Sequence, residues 1–333
     1  MDIRSLDDSG VIRTPGMSSA KFVNPDATAK GEPRAIVPFA RLETLWINTG
    51  TLCNITCRNC YIESSPSNDR LVYISASETA AYFDEIRDLG LGTKEIAFTG
   101  GEPFLNPDML AMTEDALVRG HNVLILTNAM QPMQRPKIKA GLLALREKFG
   151  AALTLRVSLD HHSKVLHEAE RGLKTWDKAL TGLDWLSKNR FAIAIAGRTC
   201  WAESDATSRA GYAALITAHH WAIDPLDTKQ LMLLPEMDGH ADVPEITTAC
   251  WSILGKRPVD MMCATSRMIV KRKDMLHAVV VPCTLLPYEP QFEMAATLAQ
   301  SLKADGDMFS NGAVKLCHAN CAKFCVLGGG SCS

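Results

Sequence analysis

The sequence predicts an α/β fold built on a parallel sheet, followed by a small cysteine-rich module. Three observations predict it. From residue 44, short apolar runs alternate with amphipathic stretches at a spacing of roughly 30 residues, the repeat of a β-α-β unit. Near residue 240 the alternation stops, and Pro235, Gly239, Pro244 and Pro258 punctuate the chain. Beyond that point cysteines gather, four of them in the last 17 residues: Cys317, Cys321, Cys325 and Cys332. The 333 residues correspond to about two domains, or one large α/β domain with an appendage.

Residues 1–40 carry Asp, Ser, Gly and Pro without apolar periodicity and are expected to form a mobile or loosely draped arm. Strands are predicted at 44–48, 95–98, 123–127, 153–159, 192–196 and 230–234. Each is nearly continuous in apolar character, as in strands covered on both faces. Helices are predicted near 78–89, 108–119, 137–148, 175–188 and 208–219. The first has clear boundaries. Ser75 and Glu78 fit a capping box, Tyr82, Phe83, Ile86 and Leu89 form an apolar stripe, and Gly90 can close the helix. Six such strands and five helices imply right-handed crossovers, a parallel sheet, and chemistry at the C-terminal strand ends.

Residues 241–333 are expected to form a second module, following a core over 41–240. It should contain a hairpin (267–271 with 277–281), a short helix near 291–303, and a tail ending in Gly328–Gly330. A module this small needs a staple, and a metal would serve.

Composition narrows the function. Hydrophobic residues make up 47% and charged residues 22%, which excludes wholesale disorder. The 35 basic and 37 acidic residues lack the electrostatic footprint of a nucleic-acid binder. No signal-peptide h-region or membrane-length apolar run occurs, so the chain is expected to be soluble and cytoplasmic, without a membrane partner. The eleven cysteines are then unusual. Their number is odd, and a reducing cytosol disfavours disulfides, so their clustering points to metal.

Cys53, Cys57 and Cys60 follow the first strand with the spacing Cys-x3-Cys-x2-Cys, and Tyr61 comes next. Three thiolates on a four-iron cluster leave one iron open, the feature that separates a catalytic metal from a structural one. Structural zinc is the alternative, but the loop supplies no fourth Cys or His. This loop resembles that of the radical S-adenosylmethionine (SAM) superfamily, as does Thr99-Gly100-Gly101-Glu102-Pro103 after the second strand.

The resemblance spans roughly residues 44–235 and implies a partial (β/α)6 TIM-like barrel. It also implies that a [4Fe-4S] cluster on Cys53, Cys57 and Cys60 binds SAM and reductively cleaves it to a 5′-deoxyadenosyl radical, which abstracts a substrate hydrogen. Tyr61 would lie near the adenine or cluster. Gly100 and Gly101 would let backbone approach the methionine amino group, and Glu102 would accept a hydrogen bond from it. Asn128, Ser158 and Asp160 at later strand ends are further candidates, with Ser158 toward the ribose or carboxylate of SAM. Arg198 could pair with the SAM carboxylate. Each can equally be a polar cap on a strand end. His161, His162 and His167 are expected to be solvated, although one could face substrate.

Cys263 and Cys283 bracket the predicted hairpin and precede the late group. This resembles the auxiliary-cluster modules called twitch or SPASM, and implies a second [4Fe-4S] cluster on Cys263, Cys283, Cys321 and Cys325, with Cys332 in reserve. A zinc knuckle is the structural alternative. Cys200, Cys250, Trp201, Trp251, Met261 and Met262 need nothing beyond burial.

The expected activity is a radical SAM oxidoreductase acting on a peptide or small molecule, supplied by a reductant such as flavodoxin or ferredoxin. Only 40 residues precede the first strand, about half of a winged-helix leader-binding domain, which favours a separate recognition partner or a small substrate. The alternatives are a non-catalytic iron–sulfur carrier or sensor, and a zinc-stapled interaction protein.

Overall fold

The computed structural model describes residues 21–235 and 242–328. Its elements run β1 (Ile36–Val37), β2 (Thr44–Asn48), α1 (Ala76–Asp88), β3 (Glu95–Thr99), α2 (Met109–Val118), β4 (Asn122–Thr127), α3 (Gln131–Gln134) and α4 (Pro136–Phe149). They continue with β5 (Leu153–Ser158), α5 (Lys164–Arg171), α6 (Thr175–Lys188), β6 (Ala192–Arg198), α7 (Asp205–His219), β7 (Leu231–Leu234) and α8 (Cys250–Leu254). The last are β8 (Ser266–Val270), β9 (Val279–Val281), α9 (Leu298–Ser301), β10 (Phe309–Ser310) and β11 (Ala313–Lys315).

The main sheet has the order β7-β6-β5-β4-β3-β2-β8-β9. Strands β2 to β7 are parallel neighbours in chain order, as the alternating sequence pattern requires. Capping of α1 is as expected: Ser75 and Glu78 exchange side-chain and backbone hydrogen bonds. That helix buries Tyr82, Phe83 and Ile86, each contributing on the order of 1.5–3 kcal/mol.

The predicted hairpin forms, but it does not stand apart in the second module. β8 pairs parallel to β2, and β9 then pairs antiparallel to β8, so the sheet continues past residue 240. The cause lies in side-chain alternation. Met268 and Val270 join Trp46, Ala97 and Leu124 in one core, while Ile269 joins Leu45 and Ile47 in the other. The first of these cores also holds Cys263, Cys283, Phe292, Leu316 and Cys321, so the C-terminal module packs on one face of the sheet and the helices on the other.

Residues 21–40 are not loosely draped. β1 pairs antiparallel with β11, and the Arg34 guanidinium meets the Glu245 carboxylate at 2.6 Å in a buried ion pair. Tertiary partners from distant sequence hold this segment, which is why it lacks periodicity of its own. The helix expected at 291–303 is reduced to a short turn, Pro290–Phe292, and α9. Cys332 and the last two glycines of the tail lie outside the described residues.

Candidate active site

A cavity of about 190 Å³ opens at the C-terminal ends of the parallel strands. Cys53, Cys57 and Cys60 line it, together with Tyr61, Gly100, Gly101, Asn128, Ser158, Asp160 and Arg198. Its remaining wall comes from the C-terminal module through Thr284, Leu285 and Phe324.

The cysteine loop is pinned from two sides. On one, the Gly101 amide donates to Gly50 O at 2.8 Å and the Glu102 amide to Leu52 O at 3.1 Å. A Cβ on Gly101 would lie 2.1 Å from Leu52 O, and Gly100 adopts φ +140° against Gly50. These glycines are therefore required for close approach to the cysteine loop itself, a reason nearer at hand than approach to a ligand. On the other side, the end of α5 reaches across. The Arg58 amide donates to Glu170 O at 2.7 Å, and the Asn59 amide and side chain donate to the Glu170 carboxylate at 2.8 and 2.9 Å.

Charges around the loop are arranged in buried pairs. The Asp160 carboxylate accepts two bonds from Arg171, at 2.6 and 3.1 Å, and Arg198 donates to Glu170 at 3.0 Å. Arg198 lines the cavity, and its Nη1 also donates to Asn59 O at 3.1 Å. Glu102 differs. It is absent from the cavity wall, and its carboxylate accepts from Thr127 Oγ1 and the Asn128 amide, each at 2.8 Å. Burial raises it to about 7, opposed by those hydrogen bonds. Its observed role is to tie the end of β3 to the end of β4.

Burial also raises the Cys53 thiol to about 12 and the Cys57 thiol to about 11, with Arg171 opposing the shift at Cys57. Thiols so protonated become thiolates when a metal replaces their protons. The donor set fits an iron–sulfur cluster: three cysteines share one wall, Arg171 faces the charge of Cys57 and Cys60, and Asn128 Nδ2 approaches Cys53 Sγ at 3.8 Å. No histidine and no other cysteine joins them among the described lining residues. Tyr61 reaches Thr99 Oγ1 at 3.3 Å.

The histidines are not solvated as expected. His161 and His167 are buried, and His161 Nε2 faces Glu203 at 3.2 Å with Trp201 edge-on to its ring. Sequence reasoning missed Asn59, Glu170 and Arg171. Asn59 sits inside the cysteine motif, and only the fold brings the end of α5 to it.

A second site forms where Cys263, Cys283, Cys321 and Cys325 line a small cavity with Leu285, Leu286 and Leu316. Cys321 and Cys325 share one wide helical turn, Cys321–Leu327, so the x3 spacing places both on one face. Burial raises Cys263 to about 12 and Cys321 well above the ordinary thiol value. Cys317 is buried but turns its Sγ to Asn24 O at 3.5 Å.

Comparisons agree with this architecture. Residues 47–198 match the radical SAM superfamily. The chain is 30% identical over 122 residues to the antilisterial bacteriocin subtilosin biosynthesis protein AlbA of Bacillus subtilis (strain 168), covering 37% of this chain and 25% of that protein. The fold superposes on Streptococcus suis SuiB bound to precursor peptide SuiA, with a TM-score of 0.57 and 13% identity over 80% of this chain and 65% of that one. It also superposes on anSMEcpe with bound AdoMet, at a TM-score of 0.55 and 14% identity over 79% of this chain and 77% of the other. The chain thus spans a quarter of AlbA and just under two thirds of SuiB. Residues 47–198, just under half of the chain, thus match the radical SAM superfamily, whose members use a [4Fe-4S] cluster and SAM.

Proposed function

We propose that this protein is a radical SAM enzyme that abstracts hydrogen from a peptide or small-molecule substrate, with an auxiliary cluster on its C-terminal module. The observation that carries the reading is the convergence of Cys53, Cys57 and Cys60 on the cavity wall without a further Cys or His among the described lining residues. Such a set supports a cluster with one open corner for SAM. When bound and reduced, the cluster and SAM together supply the 5′-deoxyadenosyl radical.

The chain's own residues prepare the site. Glu170 and the Gly100–Gly101 turn hold the cysteine loop, and Arg171 offsets the negative charge that gathers there. Ser158, Thr99 and Tyr61 offer hydroxyls to a nucleoside, while Leu126, Ala196, Leu234 and Phe324 exclude water from a reactive intermediate. A peptide substrate is supported by the bacteriocin-biosynthesis role printed in AlbA's name and by the peptide complexes of SuiB and anSMEcpe. Electrons would come from a flavodoxin- or ferredoxin-type donor.

Anaerobic reconstitution tests the reading. The expected product is a brown protein with about eight irons, two four-iron clusters, that releases 5′-deoxyadenosine on reduction with SAM. Cys57→Ala abolishes that release and keeps the second cluster. Cys283→Ala loses iron and turnover but keeps reductive cleavage. Brown protein without SAM cleavage, candidate substrates included, would instead mark an electron carrier.

A further inference from the structure

The largest fully buried side chains include two arginines, Arg34 and Arg267, with contrasting surroundings. Arg34 meets the Glu245 carboxylate at 2.6 Å. Arg267 has no carboxylate within ion-pair reach among the described residues. Its Nη1 donates to Cys263 O at 2.6 Å and Ser266 O at 2.7 Å, its Nη2 donates to Gly312 O at 2.9 Å, and its Nε has no partner. The guanidinium also stacks over Phe39, 4.4 Å from the ring centroid.

A buried cation without a counter-ion is costly, and carbonyl dipoles offset only part of that cost. Arg267 sits beside the four-cysteine cavity: its Nη1 bonds the backbone carbonyl of Cys263, one of the lining cysteines. Burial lowers it to about 10, which still leaves it protonated at neutral pH. The anion missing from its surroundings is the one that four thiolates around a metal cluster would provide.

We propose that Arg267 is the built-in counter-charge of the four-cysteine centre, favouring the reduced state of its cluster and raising its reduction potential. This rests on the auxiliary-cluster reading above. One-electron reduction adds one negative charge to the centre, and a fixed buried cation at its edge stabilises the reduced form more than the oxidised one. The electron comes from the external donor; no proton is required.

The test uses the full chain with Cys53, Cys57 and Cys60 changed to Ala, so that a single cluster is read by EPR-monitored potentiometry. Arg267→Met is expected to shift the one-electron reduction equilibrium toward the oxidised form by tenfold or more, about 59 mV. Arg267→Lys keeps the charge and is expected to stay within tenfold of the parent. Equal potentials in the parent and Arg267→Met, or an equal fall in both variants, would overturn the proposal. If Arg267→Met does not fold, Arg267→Gln takes its place: a potential equal to the parent's refutes a charge role, and a fall of tenfold or more that Arg267→Lys does not share supports it. Failure of the parent itself to bind iron, or binding of zinc only, would instead overturn the underlying cluster reading.

Discussion

Glu170 shows how remote sequence controls the cysteine loop. Its carboxylate is buried and accepts from the Asn59 amide, the Asn59 side chain and Arg198, at 2.8, 2.9 and 3.0 Å. Hydrogen bonds involving a charged group contribute about 1.5–3 kcal/mol each, and breaking a buried ion pair from one side costs about 3–5 kcal/mol. These contributions overlap, so Glu170→Ala should destabilise the iron-free protein by about 3 kcal/mol or more. In a domain of this size that corresponds to a fall in Tm of roughly 6–12 °C. Glu170→Gln keeps the shape and one acceptor and should fall between. Because the lost bonds hold Asn59 between two cysteines of the motif, iron at the Cys53 site and release of 5′-deoxyadenosine should fall with stability. Iron on the C-terminal module should persist. Thermal melts of apo-protein and iron analysis after reconstitution measure both. A Glu170→Ala protein with parental Tm and parental SAM cleavage would refute the latch.

Gly101→Ala should be harmful without removing any side-chain interaction. The new Cβ would lie 2.1 Å from Leu52 O and 2.8 Å from Thr51 O, both backbone atoms of the cysteine loop. Overpacking of this kind costs about 1–3 kcal/mol or more, and displacing the loop should lower SAM cleavage more than tenfold. Parental cleavage by Gly101→Ala would contradict it. His167 offers a pH test. Burial lowers it to about 4, and its ring packs edge-on to Trp176 with centroids 5.5 Å apart. Between its ordinary value of 6.5 and the folded value of about 4, the unfolded chain binds a proton that the folded chain does not. Stability present above pH 6.5 is therefore lost as pH falls through that window, by about 3 kcal/mol in all at 1.36 kcal/mol per pK unit. His167→Phe should flatten this acid limb in urea titrations, and an unchanged slope would rule out His167 as its source.

The parallel sheet was legible because its strands are rich in apolar residues: 192–196 is a continuous apolar run and 153–159 alternates apolar with polar residues, so both read as strands without tertiary knowledge. The capping box at Ser75 and Glu78 is equally local. The β8–β9 hairpin was legible as a hairpin, but its pairing with β2 depends on which face Met268 and Val270 present, and no local signal carries that. Residues 21–40 were misread for the same reason: Arg34 finds Glu245 more than 200 positions away. At the site, the cysteines and glycines announce themselves by spacing. The glycines' physical reason, contact with residues 50–52, emerges only from the packing, as do the bonds that the Glu102 carboxylate accepts from Thr127 and Asn128. Glu170 and Arg171 look like ordinary helix-end charges in the sequence.

The most direct measurement uses the variant with Cys263, Cys283, Cys321 and Cys325 changed to Ala, reduced anaerobically and followed by EPR as SAM is added. The account predicts a signal from one four-iron cluster that changes on SAM addition, because its fourth iron has no protein ligand. A signal indifferent to SAM, with all four irons held by the protein, would contradict it.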